Sequence, residues 1–461
     1  MTKQETVIQY ITDNYLNFNT LRHDVVSDKL QIRMEKPTPN PSLKGGEYGA
    51  EQKSFPLGED LGEATVWREM TKHDINSIVC HCAQEYNANI TSREVMTALQ
   101  SDLIPDVHPL REYILSLHPY TSDQPDWIDL VASQVRIADS ASDDEKGSNG
   151  SKSSKGESAV ETYRTYRTPS TKADALWRAC FKKWFVAMVA SWMKDEVVNH
   201  QVLVLIGKQG IYKTTWLEHL IPPHLRAYAC KLANSNDLNK DERLRIAEFG
   251  LISLDEIDSM NNRELNQLKS VITATDINER AAYAYTKERR MRLASFCASG
   301  NRRDFLTDIT GNRRWLPFEV ESIQNPFYTT LPYDLIYAQA WTLAQDPTFS
   351  YWFELDEIDL LEQHNQHFRD ESNEEQLLDV YFAVPSEGAS NTKFLTTAEI
   401  SERLIYYGNI KRPLSLSRLG VLLSQKGFLS IRKGSPQRRG WVVYERDNEE
   451  INAERRILSK T

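Results

Sequence analysis

Cysteine is scarce: five thiols (Cys80, Cys82, Cys180, Cys230, Cys297) in 461 residues, odd in number and without a C-x-x-C pair. That usage excludes a disulfide-stapled secreted scaffold, and a reduced cytoplasm is the compartment expected. Cys80-His81-Cys82 lies in a helix-like stretch with no partner cluster nearby, so a structural role is expected there rather than metal ligation. No apolar run is long enough to cross a bilayer and no signal-peptide pattern is present, so no membrane partner is expected. Positive charge is not in surplus either. With 55 Lys+Arg against 65 Asp+Glu the formal net charge is −10, so any contact with nucleic acid must be local rather than spread over a cationic coat. Hydrophobic residues make up 40% of the chain, enough at this length for two or three domains with cores of their own.

What is present centres on Val202-Leu203-Val204-Leu205-Ile206 followed by Gly207-Lys208-Gln209-Gly210-Ile211-Tyr212-Lys213-Thr214-Thr215. An apolar β-branched run, a glycine-containing loop ending in Lys-Thr and an amphipathic stretch give the strand–loop–helix context of a phosphate-binding loop. Gly207, Lys213 and Thr214 meet the pattern; Tyr212 stands where a glycine is expected. Phe249 to Asp258 reads as a buried strand ending in two carboxylates, with Asp255 suited to a magnesium shell and Glu256 to the attacking water. Ala294 to Asn301 is a second apolar strand, ending in the amide of Asn301. Gly311-Asn312-Arg313-Arg314-Trp315 follows, and a guanidinium there could stabilise charge on a transferred phosphoryl group. Taken singly these are a chance glycine loop, a helix cap and a solvated basic turn. Their order within about 110 residues is what makes a nucleotidase core of them.

The P-loop Gly207–Thr215, the strand Leu251–Asp258, the stretch Leu268–Asp276, Ser299-Gly300-Asn301 and Asp308–Trp315 together resemble the virulence-associated protein E family. That family is similar to superfamily 3 helicases and primase-helicases of phages, plasmids and integrative elements. The resemblance covers roughly residues 105 to 320. It implies an α/β P-loop AAA+-like ATPase core, ATP and Mg2+ as cofactors with Thr214 and Asp255 at the metal, a head-to-tail homo-oligomeric ring expected to be a hexamer, single- or double-stranded DNA as partner, and a primase as a further partner. Arg314, and less directly Arg313, would complete a neighbour's site.

Around that core the chain divides into an N-terminal, mostly helical domain over 1–139, a disordered linker over 140–172, the ATPase over 173–345, an acidic helical connector over 346–394, a winged helix over 395–446 and a tail over 447–461. The linker is rich in Ser, Gly, Lys and acids and almost lacks aliphatic residues. Trp177, Phe181, Trp184, Phe185, Met188 and Trp192 recur at helical spacing, a pattern expected of core rather than of a stacking face. Lys269 to Arg314 holds ten Lys/Arg against five acids; in the resembling superfamily this interval carries a DNA-contacting hairpin, occupied here by Tyr283, Tyr285, Lys287, Arg289 and Arg290. A solvated basic hairpin without a ligand is the other reading. Leu395 to Arg446 holds ten basic residues and three acids. Its two helices and two strands suggest a helix-plus-wing with Arg418, Arg432, Lys433, Arg438 and Arg439 on the phosphate backbone, or a protein-docking winged helix. The function expected is an ATP-dependent ring helicase or replication-initiation ATPase of a mobile element. A DNA-stimulated ATPase that remodels or senses without unwinding and a nucleotide-independent DNA-binding scaffold are the alternatives.

Overall fold

The computed structural model describes residues 2–34, 66–138, 171–232, 245–279, 288–306, 312–369, 373–386, 392–408, 415–434 and 437–458. Residues 140–170 of the expected linker and Lys287, Tyr283 and Tyr285 lie outside the described residues, while Thr171 and Lys172, at its expected end, cap and open a helix. Two compact units result, one of residues 1–301 with 318–354, the other of 302–317 with 355–461.

The first unit opens with a helix, Lys3–Asn14, and strands β1 (Leu21–Asp24), β2 (Lys29–Met34) and β3 (Val66–Glu69), followed by helices Lys72–Tyr86 and Ser92–Leu99 and strand β4 (Asp106–Val107). Beside its helices the N-terminal region holds a four-stranded sheet in the order β3-β2-β1-β4. Thr2, Thr71 and Thr91 each close a reciprocal capping box with the acid three residues on, satisfying two backbone donors per helix start. Val7, Ile11, Ile78, Val95 and Leu99 form a core of their own beneath the sheet.

A six-stranded sheet dominates the rest of this unit. Its strands are β5 (Val135–Ile137), β6 (Val202–Ile206), β7 (Ala229–Leu232), β8 (Leu251–Leu254), β11 (Ser295–Gly300) and β12 (Trp315–Ile323), with a hairpin of β9 (Asp276–Glu279) and β10 (Glu288–Met291) paired separately. The order is β5-β12-β6-β11-β8-β7. β6, β11, β8 and β7 are mutually parallel, while β5 joins β12 antiparallel. Every residue of β6 and β11 is buried, which is why they read as continuous apolar runs rather than alternating ones.

The 22-residue helix Lys172–Met193 carries the aromatic stripe, and Trp177, Phe181, Trp184, Phe185, Met188 and Trp192 are all buried. Three indoles are fixed by carbonyls: Trp177 Nε1 donates to Ala132 at 2.9 Å, Trp184 Nε1 to Phe296 at 3.1 Å and Trp192 Nε1 to Gly250 at 3.0 Å. The last two tie the helix to β11 and to the entry of β8, the strands that carry the amide and the acids. The stripe is core.

The second unit contains β13 (Phe382–Ala383), β14 (Thr392–Leu395), β15 (Leu429–Lys433) and β16 (Arg438–Glu445). β16 is central, pairing with β14, β15 and β13, all antiparallel. Helices Thr397–Gly408 and Leu416–Gln425 pack Ile400, Leu404, Leu419, Leu422 and Leu423 against Leu395, Trp441 and Val443. The expected connector is not a separate brace. Leu378, Val380, Tyr381 and Phe382 belong to this same core, and Ile451, from a helix where a tail was expected, packs on it. Residues 302–317, placed by sequence in the ATPase, also belong to this unit.

No helix among the described residues is long and apolar enough to cross a membrane.

Candidate active site

The C-terminal ends of β6, β8 and β11 converge on one cavity of about 330 Å³, lined by Gln209, Gly210, Tyr212, Lys213, Thr214, Thr215, Asp255, Glu256, Ser299, Gly300 and Asn301. β11 lies between the loop strand and the acidic strand, which brings Ser299 and Asn301 to the middle of the site. The backbone in the loop is tight. A Cβ on Gly207 would stand 2.7 Å from the Val320 carbonyl, and Gly210 holds φ +85°. Tyr212 itself holds φ 68°, ψ 18°, the left-handed conformation that glycine adopts at no steric cost. The loop thus keeps the backbone of the expected glycine while bearing a side chain.

Lys213 is buried at 7% exposure. Its ammonium donates to the carbonyls of Gly207 at 2.7 Å and Lys208 at 2.8 Å and to Asn301 Oδ1 at 3.3 Å. All three partners are neutral, so the charge is held over the loop without a direct ion pair. Burial pulls its pKa down, against the opposing pull of Asp258 and Asp255.

Thr214 Oγ1 donates to Asp255 Oδ1 at 3.2 Å and lies 3.0 Å from Ser299 Oγ, which donates to the same carboxylate oxygen at 2.7 Å. The other oxygen, Asp255 Oδ2, is 2.9 Å from Lys231 Nζ. Burial pushes the Asp255 carboxyl up, but the bonds from Lys231 and Ser299 outweigh it and hold the pKa down. Asp255 is therefore a carboxylate at neutral pH. Glu256 follows at φ 53°, a second non-glycine residue in the left-handed region, exposed at the cavity wall. Strain of this kind, about 1–3 kcal/mol per residue, concentrates at functional sites. Asn301 is fixed by its own backbone N–H, donated to Asp258 Oδ1 at 3.2 Å.

Among the sequence-derived candidates, Gln209, Gly210, Tyr212, Lys213, Thr214, Thr215, Asp255, Glu256 and Asn301 line this cavity, and Gly207, Lys208 and Ile211 belong to the loop that closes it. Arg313 and Arg314 stand on the 3-10 turn Asn312–Arg314 in the second unit and are not among the lining residues. Neither makes an ion pair among the described residues; burial and its neighbour Arg313 both pull the Arg314 pKa down. Three participants escaped the sequence reading: Lys231 and Ser299 on Asp255, and Asp258 behind Asn301. Ser299 and Asp258 lie within the motifs themselves. Lys231 reaches Asp255 only because β7 and β8 are parallel neighbours.

The basic candidates separate. Arg290 departs from the expectation of a DNA contact, because its guanidinium pairs with Asp28 at 2.6 Å and Glu248 at 3.7 Å and its side chain is only 18% exposed. Arg289 pairs with Asp276 across the β9–β10 hairpin but stays 71% exposed. Arg418, Arg432, Lys433, Arg438 and Arg439 are all exposed. In the β15–β16 ladder Arg432 faces Arg439 and Lys433 faces Arg438.

Residues 152–370 match the family model of the virulence-associated protein E-like domain. The chain carries a virulence-associated protein E-like domain. No curated protein matches it. Similar solved structures include one described as the apo structure of the NrS-1 C terminal region, at TM-score 0.43 and 10% identity, covering 96% of this chain and 100% of that one. Two A-form apo structures of the same region also score 0.43, one at 9% identity over 96% and 99% of the two chains, the other at 11% over 93% and 98%.

Proposed function

We propose that this virulence-associated protein E-like chain is an ATP hydrolase, acting as a ring-forming DNA helicase or replication-initiation ATPase of a mobile element. The observation that supports it most is the gathering of Lys213, Thr214, Asp255, Glu256 and Asn301 around one cavity. Asp255 and Glu256 both line the wall of the cavity, so the site suits a polyanion that arrives with a divalent cation. The donors fit magnesium: the Thr214 hydroxyl and the Asp255 carboxylate are hard oxygens already within 3.2 Å of each other. Bound there with the nucleotide, Mg2+ would neutralise charge on the β- and γ-phosphate oxygens.

The residues of the chain then have separable tasks. The Lys213 ammonium exchanges loop carbonyls for phosphate oxygens. Glu256, whose carbonyl is held by Ser259, uses its carboxylate to accept a hydrogen bond from the attacking water and orient it. Asn301, held by Asp258, offers its amide to that water or to the γ-phosphate. DNA contact is assigned to the exposed cations of the second unit, read as a winged helix, and to Arg289. Arg290 is left out of that set.

Single-turnover ATP hydrolysis with and without single-stranded DNA tests the reading. Lys213→Ala should abolish nucleotide binding. Glu256→Gln should bind ATP yet lose about 10²–10⁴ in rate, the range of a positioned general base. Wild-type-like turnover in either variant refutes the assignment. Hydrolysis that DNA stimulates without any strand separation would favour a remodelling or sensing ATPase.

A further inference from the structure

We propose that Tyr212 and Phe327 form a stacking corner for the nucleobase of the bound nucleotide, an inference that rests on the reading of the cavity as a nucleotide site. The cavity lining is polar or glycine apart from Tyr212. It can take phosphates and a cation but offers no flat apolar surface for a base, and the Tyr212 ring at its rim is the first such surface outward.

Tyr212 is 39% exposed, and Phe327 beyond it is 62% exposed. The two stand edge to face, centroids 6.4 Å apart at 82°, and Phe327 meets His219 in the same way at 5.6 Å and 87°. One side chain holds the corner: Asn325 Nδ2 donates to the Tyr212 hydroxyl at 3.3 Å while Asn325 Oδ1 accepts from the Phe327 backbone N–H at 3.0 Å. His219 is fixed as well, its Nδ1 donating to the Thr215 carbonyl at 2.7 Å. A tyrosine with a purely structural role would bury its ring in return for a left-handed backbone. This one takes the strained conformation yet stays 39% exposed, braced by an amide, next to the lysine assigned to the phosphates. Base–aromatic stacking is strong and tolerant of base identity, so the corner adds affinity for nucleotides over bare polyphosphate.

The test compares Mg-ATP with Mg-tripolyphosphate, which has the phosphates but no base, by equilibrium titration. Tyr212→Gly should raise the melting temperature by removing the left-handed strain, yet weaken ATP binding about tenfold or more, while tripolyphosphate affinity changes less than about twofold. Phe327→Ala should show the same selective loss, and Tyr212→Phe should bind ATP within about threefold of wild type. Equal or tighter ATP binding by Tyr212→Gly, or wild-type protein that binds tripolyphosphate as tightly as ATP, overturns the stacking corner and leaves the nucleotide site standing. Wild-type protein that binds neither ligand overturns the site beneath it.

Discussion

Glu445 shows how a single side chain can govern a whole unit. It is nearly buried on β16, ion-paired with Lys393 and Arg403, and accepts a hydrogen bond from the Tyr407 hydroxyl at 2.9 Å. Burial pushes its carboxyl up, but Lys393, Arg403 and Tyr407 outweigh that and bring the pKa down from 4.5 to about 2. A depressed folded-state pKa contributes stability that is fully present above the unfolded value and is lost as pH falls through the folded one. The second unit should therefore lose stability between about pH 4.5 and pH 2, followed by near-ultraviolet circular dichroism. Glu445→Gln should cost roughly 1–3 kcal/mol at neutral pH and flatten that acid limb; an unchanged limb would show that the carboxylate does not control it. The sequence counted Arg403 toward a DNA-binding surplus, and the structure spends it on Glu445. The cavity residues are more legible, since Lys213, Thr214, Asp255, Glu256 and Asn301 sit in short motifs that follow one another along the chain. Lys231 is not, because only the strand pairing brings it to Asp255.

At the scale of elements, the β15–β16 hairpin carries its own electrostatic contradiction. Arg432 opposite Arg439 and Lys433 opposite Arg438 place like charges at cross-strand positions, where each pair is destabilising by a few tenths of a kcal/mol to about 1 kcal/mol. Arg439 Nε also donates to Ser430 Oγ at 3.1 Å, which steadies the guanidinium but leaves its charge uncompensated. Replacing all four with glutamine should stabilise the hairpin slightly while weakening DNA binding, and should lower the slope of log affinity against log salt by up to about 3–4. A DNA affinity that is unchanged across the titration would assign the unit to protein docking instead. The helices and buried strands of the core were readable from periodicity. The N-terminal sheet was read only in part, because β1 and β3 are four residues long and β4 two, too short for alternation to register. The boundary between units is hidden in the sequence, because the acidic composition of residues 346–394 conceals Leu378, Val380, Tyr381 and Phe382, which fill the second core.

At the scale of the whole molecule, the proposed mechanism turns on Arg313 and Arg314. They are adjacent cations on one 3-10 turn, without an ion pair among the described residues, and their mutual repulsion together with burial already pulls the Arg314 pKa down. An approaching anion would relieve that repulsion. In a head-to-tail ring each interface pairs one subunit's phosphate loop with another's surface, so the relieving anion would be a neighbour's γ-phosphate and Arg314 its stabiliser. Such a division of labour has a distinctive consequence in mixtures. Arg314→Ala and Lys213→Ala subunits, each inactive alone, should recover partial ATPase activity when combined, because some interfaces then join an intact loop to an intact arginine. For random pairing in an equimolar ring about a quarter of interfaces qualify, so recovery should approach roughly a quarter of wild-type activity if sites fire independently. Mixtures that co-assemble by sizing yet stay inactive would mean that the arginine serves its own subunit or that the ring requires every site at once. Adding excess wild-type subunits decides between these: a ring that needs every site is poisoned by a minority of Lys213→Ala subunits, whereas an arginine acting within its own subunit gives activity in strict proportion to the wild-type fraction.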